Sequence, residues 1–311
     1  MIYQLYGFNI IYSNVIETLQ EYAHPYCDSA LPTVSLSIMD NIENDVVDAV
    51  EVFGKYSHLS ISDEKSFFHL IDGSKVRITP TTLSLCGNYS QTEKIGLELN
   101  GPNIIVLSRY HNRSVLHGSA FCYQGKAYIV LAPPGAGKST LSAAMAKYQD
   151  SICFITDDII CATKEGTIYP GIHSVNLNND SFAKLFTPSA HNAKITDTDT
   201  PQKVTQNMNT RISFRTKSAL PLGGVIILGD PLKTGTIKIQ ELSFKQSFFE
   251  VVKNIKLKNG MTPKMMTNEL DIIRCLLKND IFVIKLQLEH DYAKLKSASN
   301  ILQSFIDGYA K

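Results

Sequence analysis

The sequence predicts an α/β fold with an α+β first part, and three observations carry that prediction. From about residue 101 onward, apolar runs alternate with amphipathic stretches, as in a sheet covered by helices. Residues 1–100 instead hold short β-branched or aromatic runs separated by turn residues. At the centre, the apolar run Ala127 to Leu131 meets a glycine-bearing loop and then a helical stretch, Ser139 to Lys147. The 311 residues are enough for two domains with full cores, and the change of texture places them at 1–100 and 101–311.

In the first part, strands are expected at Tyr3 to Tyr12, Thr33 to Met39, Lys65 to Ile71, Lys75 to Thr79 and Ile95 to Leu99. Asp72-Gly73-Ser74 is a turn signal that makes a hairpin of two of them. Asp40 to Glu51 sets Ile42, Val46, Val47 and Val50 against a row of carboxylates, the pattern of a helix with a solvated acidic face. The same carboxylates would also admit a metal, but solvation is the simpler account.

In the second part, Pro102 to Arg113 reads as a helix, and two strands flank the turn at Gln124-Gly125. Ile152 to Ile160 is a buried strand interrupted by two adjacent acids. Residues 187–210 are rich in Thr, Asn, Asp and Gln without apolar period, which predicts a mobile loop able to serve as a lid. Further strands are expected at Ile212 to Lys217, Gly224 to Leu228, Thr236 to Gln240 and Ile281 to Leu288. Helices are expected at Phe244 to Lys256, Pro263 to Lys278 and Tyr292 to Ile306.

A net charge of +1 argues against nucleic acid or membrane as partner. The charge is uneven: residues 1–100 carry 13 acidic and 5 basic side chains (net −8), the remainder 16 and 25 (net +9). That split suits anionic ligands on the second part and a basic partner near the first. The six cysteines show no C-x-x-C pair and no zinc spacing, which favours buried thiols and a cytoplasmic setting. No apolar run approaches 18 residues, and the first residues lack a signal-peptide pattern.

The chemistry is concentrated in the loop Ala132-Pro133-Pro134-Gly135-Ala136-Gly137-Lys138-Ser139-Thr140. Strand, glycine loop and helix N-terminus converge backbone N–H groups on an anion, and the helix dipole adds about half a positive charge there. Pro134, Gly135, Ala136, Gly137, Lys138, Ser139 and Thr140 are thus the expected contacts of a nucleoside triphosphate. Lys138 would reach the terminal phosphates, and the Ser139 hydroxyl would ligate magnesium. Ala132 stands where the usual pattern has a glycine, which requires a negative φ at that residue.

Asp157 and Asp158 follow on the next strand, supplying one carboxylate for a metal and one to accept a proton. His117 is a third candidate, although a lone histidine near a strand start is more often a structural hydrogen-bonder. Arg211, Arg215 and Lys217 alternate along an expected strand, as phosphoryl-stabilising cations or as guards of an exposed edge.

Together, His117-Gly118-Ser119, the glycine loop and Ile155-Thr156-Asp157-Asp158 resemble the catalytic region of HPr kinase and its relatives, of the HPr kinase/PEP carboxykinase-like type. More closely, the chain resembles the HPr-kinase-like proteins of peptide-modification gene clusters, including lasso-peptide tailoring kinases, which open with an aromatic Tyr-x-x-x-Gly strand like Tyr3 to Gly7. The resemblance is strongest over about 115–180. It implies an ATP- and magnesium-dependent serine kinase acting on a peptide or small protein, such as a ribosomally made precursor. It further implies Asp157 as the base, His117 as partner of that base, Lys138 on phosphate, and Ser139 with Asp158 on the metal. Relatives often assemble, so a homo-oligomer is compatible. No counterpart of the signature linked to phosphorolysis is found, which points to a one-way kinase and away from HPr as substrate. A small-molecule (amino acid or sugar) kinase and a nucleotide-gated binding module remain the alternatives.

Overall fold

The computed structural model describes residues 1–43, 56–89, 92–172, 174–186, 193–196, 203–207, 219–235, 237–278, 280–289 and 291–309. By packing it divides into a unit of residues 1–115 with 255–272, and a second of 116–254 with 273–311.

The first unit is built on one mixed eight-stranded sheet. Its strands are β1 (Ile2–Leu5), β2 (Phe8–Ile11), β3 (Ala23–His24), β4 (Thr33–Met39), β5 (Tyr56–Ile61), β6 (Ser66–Leu70), β7 (Lys75–Ile78) and β8 (Thr82–Cys86), in the order β3-β1-β2-β4-β8-β7-β6-β5. The run Tyr3 to Tyr12 is a hairpin, not one strand. Leu5 faces Phe8 across a two-residue turn, and Tyr6 and Gly7 both take positive φ, as the twist of a tight hairpin demands. The Asp72-Gly73-Ser74 turn joins β6 to β7 in antiparallel register as expected.

The expected strand Ile95 to Leu99 is instead the end of α1 (Thr92–Glu98). Ile95 and Leu99 are buried while Leu97 between them is exposed, so the apolar period here is four, not two. Pro102 opens α2 (Pro102–Tyr110) at its first position, where a missing N–H costs nothing. The expected helix Asp40 to Glu51 lies, from residue 44 on, outside the described residues, as do Ile212 to Lys217 and the three cations Arg211, Arg215 and Lys217.

One buried charge cluster closes this unit. Glu269, on α6 (Pro263–Leu276), accepts from Arg109 Nε at 3.1 Å, from Ser114 Oγ at 2.7 Å and from the Val115 N–H at 2.8 Å. Both charges are almost fully buried, and the additional hydrogen bonds are what make such a pair tolerable.

The second unit holds the glycine loop. Its central strands are β10 (Gly118–Tyr123), β11 (Lys126–Leu131), β12 (Cys153–Asp157), β18 (Leu220–Leu228), β19 (Lys238–Glu241) and β20 (Phe282–Gln287), β9 (Ser114–Leu116) lying just before them in the chain. The order β12-β10-β11-β18-β20-β19 is parallel only across β11, β18 and β20. The sheet is therefore mixed, with a parallel centre and antiparallel flanks. The start of β18 also pairs with β14 (Thr167–Tyr169), which pairs with β13 (Ile160–Ala162). Helix α3 (Lys138–Tyr148) and helix α7 (Leu295–Tyr309) share a core with the sheet, in which Leu141, Met145, Leu302 and Ile306 meet Val130 and Ile284.

The stretch 187–210 is not wholly a loop. β16 (Ala193–Thr196) and β17 (Lys203–Asn207) lie within it and pair with β15 (Ser174–Asn178) in the order β15-β17-β16. Ile195, Thr196, Val204 and Thr205 are strand formers, and β16 pairs antiparallel with β17, which pairs in turn with β15, but the polar composition of the stretch gives them no alternating apolar pattern. The remaining helices are α4 (Asn179–Leu185) and α5 (Phe244–Lys253), the latter opened by a Ser243–Gln246 capping box. No described helix is long and apolar enough to cross a membrane.

Gly118, at the start of β10, is required by space. A Cβ there would lie 2.6 Å from both Ile160 Cδ1 and Leu131 Cδ2, and 2.7 Å from the Val130 carbonyl. Gly118→Ala is expected to lower unfolding free energy by about 2 kcal/mol, the scale of overpacking, because a backbone atom cannot yield as a side chain does. Urea denaturation checks it; an unchanged midpoint would mean that β13 moves aside freely.

Candidate functional site

The glycine loop turns from β11 into α3 with two residues in the left-handed region, Gly135 at φ +79° and Gly137 at φ +96°. A Cβ at either would meet nothing within 4 Å. Backbone conformation, not crowding, is thus the reason for glycine, and the space in front of the loop is open. No side chain caps the α3 N-terminus. Its first N–H groups lack intrahelical acceptors by construction, so they remain disposed toward an external anion.

Lys138 is buried and bends back over the loop, donating from Nζ to the carbonyls of Ala132 at 2.9 Å and Pro133 at 3.1 Å. These are weak neutral partners for an ammonium, and anionic oxygens would compete well for them. Ser139, one position on, donates from Oγ to Asp157 Oδ1 at 2.8 Å. The second oxygen of Asp157 accepts the Asn176 N–H of β15 at 3.1 Å. Burial pushes the Asp157 carboxyl up to about 6 from 3.8; the Ser139 and Asn176 hydrogen bonds pull it down, and Asp158 adds to the rise.

Asp158 is turned the other way. It adopts φ +70°, a left-handed conformation that Asp tolerates better than most residues, at a cost of about 1 kcal/mol. The kink is held by the Ile159 N–H on the Asp157 carbonyl and by Thr156 Oγ1 on the Ile159 carbonyl, both at 2.9 Å. It brings Asp158 Oδ1 within 3.1 Å of His117 Nε2, both side chains being part exposed. His117 sits between β9 and β10, with its N–H on the Asn254 carbonyl at 2.7 Å. The structure therefore brings His117, Ser139, Asp157 and Asp158 into two pairs, but the pairs differ from the expected ones: Ser139 is with Asp157, and His117 is with Asp158.

Beside the loop is a cavity of about 350 Å³, a size ordinary for a small-molecule site. Gly135, Ala136, Gly137 and Thr140 form one side, and Leu228, Leu286 and Leu288 from the ends of β18 and β20 form another. A hydroxyl chain crosses it: Thr140 Oγ1 reaches Ser181 Oγ at 3.4 Å, and Ser181 shares a 2.7 Å hydrogen bond with Tyr292. Sequence reasoning missed Asn178, Ser181 and Tyr292. Only Asn178 left a trace, as a helix N-cap whose Oδ1 accepts the Ser181 N–H at 2.7 Å.

A cation fits the Ser139–Asp157 pair by donor chemistry, since both offer hard oxygens. Among the described residues no group of three or more His, Cys, Asp or Glu side chains is assembled to hold a metal.

No protein-family model and no curated protein matches the chain. Among solved structures, it is similar to an HPr(Ser) kinase/phosphatase from Coxiella burnetii, at 10% identity over 63% of this chain and 94% of that one, with a TM-score of 0.30.

The raised carboxyl of Asp157 has a signed consequence. The native state binds the Asp157 proton more tightly than the unfolded chain, so its contribution is full below pH 4 and is lost as pH rises through about 6. Above that, the buried charge costs about 3 kcal/mol in the metal-free protein, at about 1.4 kcal/mol per pH unit. Asp157→Asn should therefore melt higher than wild type at pH 8, with the gap closing toward pH 4. Thermal melts across that range test it, and a gap independent of pH would mean that the carboxylate is not desolvated.

Proposed function

We propose that the second unit binds a nucleoside triphosphate with magnesium and transfers a phosphoryl group to a hydroxyl. The observation that carries this reading is the division of two adjacent acids between two partners, one buried with Ser139 and one presented to solvent with His117. Ser139 and Asp157 would hold magnesium, which when bound neutralises phosphate charge and orients the phosphates. Lys138, exchanging the Ala132 and Pro133 carbonyls for phosphate oxygens, supplies the positive charge within the loop. The N–H groups of Gly137 to Thr140 align the phosphate chain, and the adjoining cavity accommodates the nucleoside.

Asp158 is the base in this arrangement. Its exposure lets an acceptor hydroxyl approach, and His117 donates to its Oδ1 to fix the carboxylate's orientation. Asp157 is less suited to that task, because both its oxygens are engaged and it is closed to solvent. The roles proposed for the two acids are thus the reverse of those implied by the sequence resemblance. For the acceptor, the resemblance favours a serine on a peptide or small protein over a free amino acid or sugar, and the acidic first unit would favour a basic peptide.

ATP consumption with and without candidate peptides, magnesium being titrated, tests the reading. Lys138→Ala should lower turnover about 100-fold or more with the fold intact, the cost of a lost charge contact on the transferring group. Asp158→Asn should keep magnesium–nucleotide binding and lose turnover by about 100-fold, whereas Asp157→Asn should lose the binding itself. The opposite assignment of the two variants would restore the roles implied by the sequence. Nucleotide binding without hydrolysis or transfer in the wild type would replace catalysis by gating.

A further inference from the structure

The strand pair that carries the acidic turn also carries two thiols face to face. Cys122 on β10 and Cys153 on β12 are direct partners in the antiparallel register. Neither is in a disulfide, and they are 7% and 6% exposed. Directly opposed antiparallel residues have Cα atoms about 4.5–5.5 Å apart, inside the range of about 4.4–6.8 Å that a disulfide spans. The preceding register pair, Phe121 with Phe154, faces α3 and the core around it. Alternation along the strands then places both thiols together on the opposite face of the sheet. On its other side Cys122 is paired with Ala127, whose side chain is small.

We propose that Cys122 and Cys153 are a reversible dithiol–disulfide site oxidised by hydroperoxides, and that its closure alters the turn at Asp157-Asp158. The thiol of Cys122 is hydrogen-bonded to Cys153, and this bond with burial holds the Cys122 proton far more tightly than an ordinary thiol does. We take Cys153 as the attacking sulfur, the S–H of Cys122 then supporting its negative charge. Its thiolate attacks one peroxide oxygen, the O–O bond breaks, and hydroxide leaves to take up a proton as water. Cys122 sulfur then attacks the resulting sulfenic sulfur; the S–S bond forms, and a second water leaves carrying the Cys122 proton. Two thiols lose two electrons in total, and the peroxide gains them.

The consequence follows from the ladder. A register irregularity at Ala120 and Phe121 separates the cysteine pair from the pair Ser119 with Asp157. Such a bulge is where a strand bends and twists, so a covalent bridge on one side of it changes the strand direction on the other. Asp158, already held in a left-handed conformation next to the strand end, has little freedom to absorb that change.

The full-length reduced protein is treated with hydrogen peroxide, alkylated, digested and mapped by mass spectrometry. The expected result is a Cys122–Cys153 cross-linked peptide lighter by two hydrogens, dominant over any bridge to Cys27, Cys86, Cys161 or Cys275, and reversed by dithiothreitol. Cys122→Ser should trap a sulfenic acid on Cys153, while Cys153→Ser should leave Cys122 unreacted. Amide hydrogen exchange over residues 153–160 should differ between the oxidised and reduced protein, with a several-fold change in magnesium–ATP affinity. Oxidation without this cross-link overturns the site, and a cross-link that leaves exchange at 153–160 unchanged overturns the coupling to the turn. The mapping and exchange measurements are independent of the phosphoryl-transfer reading. The affinity change alone rests on it, and failure of both redox forms to bind nucleotide counts against that reading only.

Discussion

A carboxylate buried at the end of a strand is the constraint around which the second unit is arranged. Asp157 draws together three elements that are distant in sequence: its own strand, the first turn of α3 through Ser139, and β15 through the Asn176 N–H. Two hydrogen bonds are too little to offset its removal from water, as the raised carboxyl shows. A group in that position is stabilised by a proton or by a metal cation. Under the proposed function it is one half of an ion-binding site whose other half arrives with the ligand.

The departures from ordinary local geometry gather in the same place. Asp158 takes a left-handed conformation, Gly118 is forced by the approach of Leu131 and Ile160, and the β10–β12 ladder slips register between Thr156 and Phe154, just before the acids. Each is tolerable alone, and their concentration around His117 and Asp158 is what a site under functional constraint looks like. The consequence is that two residues adjacent in sequence point to different neighbours. One carboxylate goes inward to Ser139, and the other goes out to His117. A regular strand would also have placed neighbours on opposite faces, but it could not have brought Asp158 back toward the start of β10.

Much of this was legible, and the rest was hidden for identifiable reasons. The loop, its helix and the acidic strand end are local features, so Gly135 to Thr140 and Asp157-Asp158 could be read from spacing alone. The pairing of those residues could not, because it depends on the φ of Asp158, which no sequence rule assigns to an aspartate following a strand. Asn176 acts through its backbone and leaves no side-chain signature. Leu97 conceals the helical period of α1, since an apolar residue exposed between buried Ile95 and Leu99 makes the run read as a strand. β16 and β17 hid because their residues are mostly polar, so two strands that pair with each other and with β15 show no alternating apolar pattern.

The parallel centre of the sheet accounts for where a ligand would lie. β11, β18 and β20 run in the same direction, so their carboxyl ends meet at one edge, where the glycine loop, Leu228 and Gly229, and Leu288, Glu289, Asp291 and Tyr292 line the cavity. Crevices at such ends are the usual ligand positions in open α/β sheets, because no strand continues to fill them. The lining adds a polarity to this geometry. Among the described residues that border the cavity the charged ones are Asp180, Glu289 and Asp291, of which the first two are ion-paired with Lys184 and Lys294. Under the proposed reading, the apolar side formed by Leu228, Leu286 and Leu288 suits the uncharged part of the ligand. Under that reading, sheet direction sets the position of the ligand, and Lys138 with the α3 N-terminus sets its orientation.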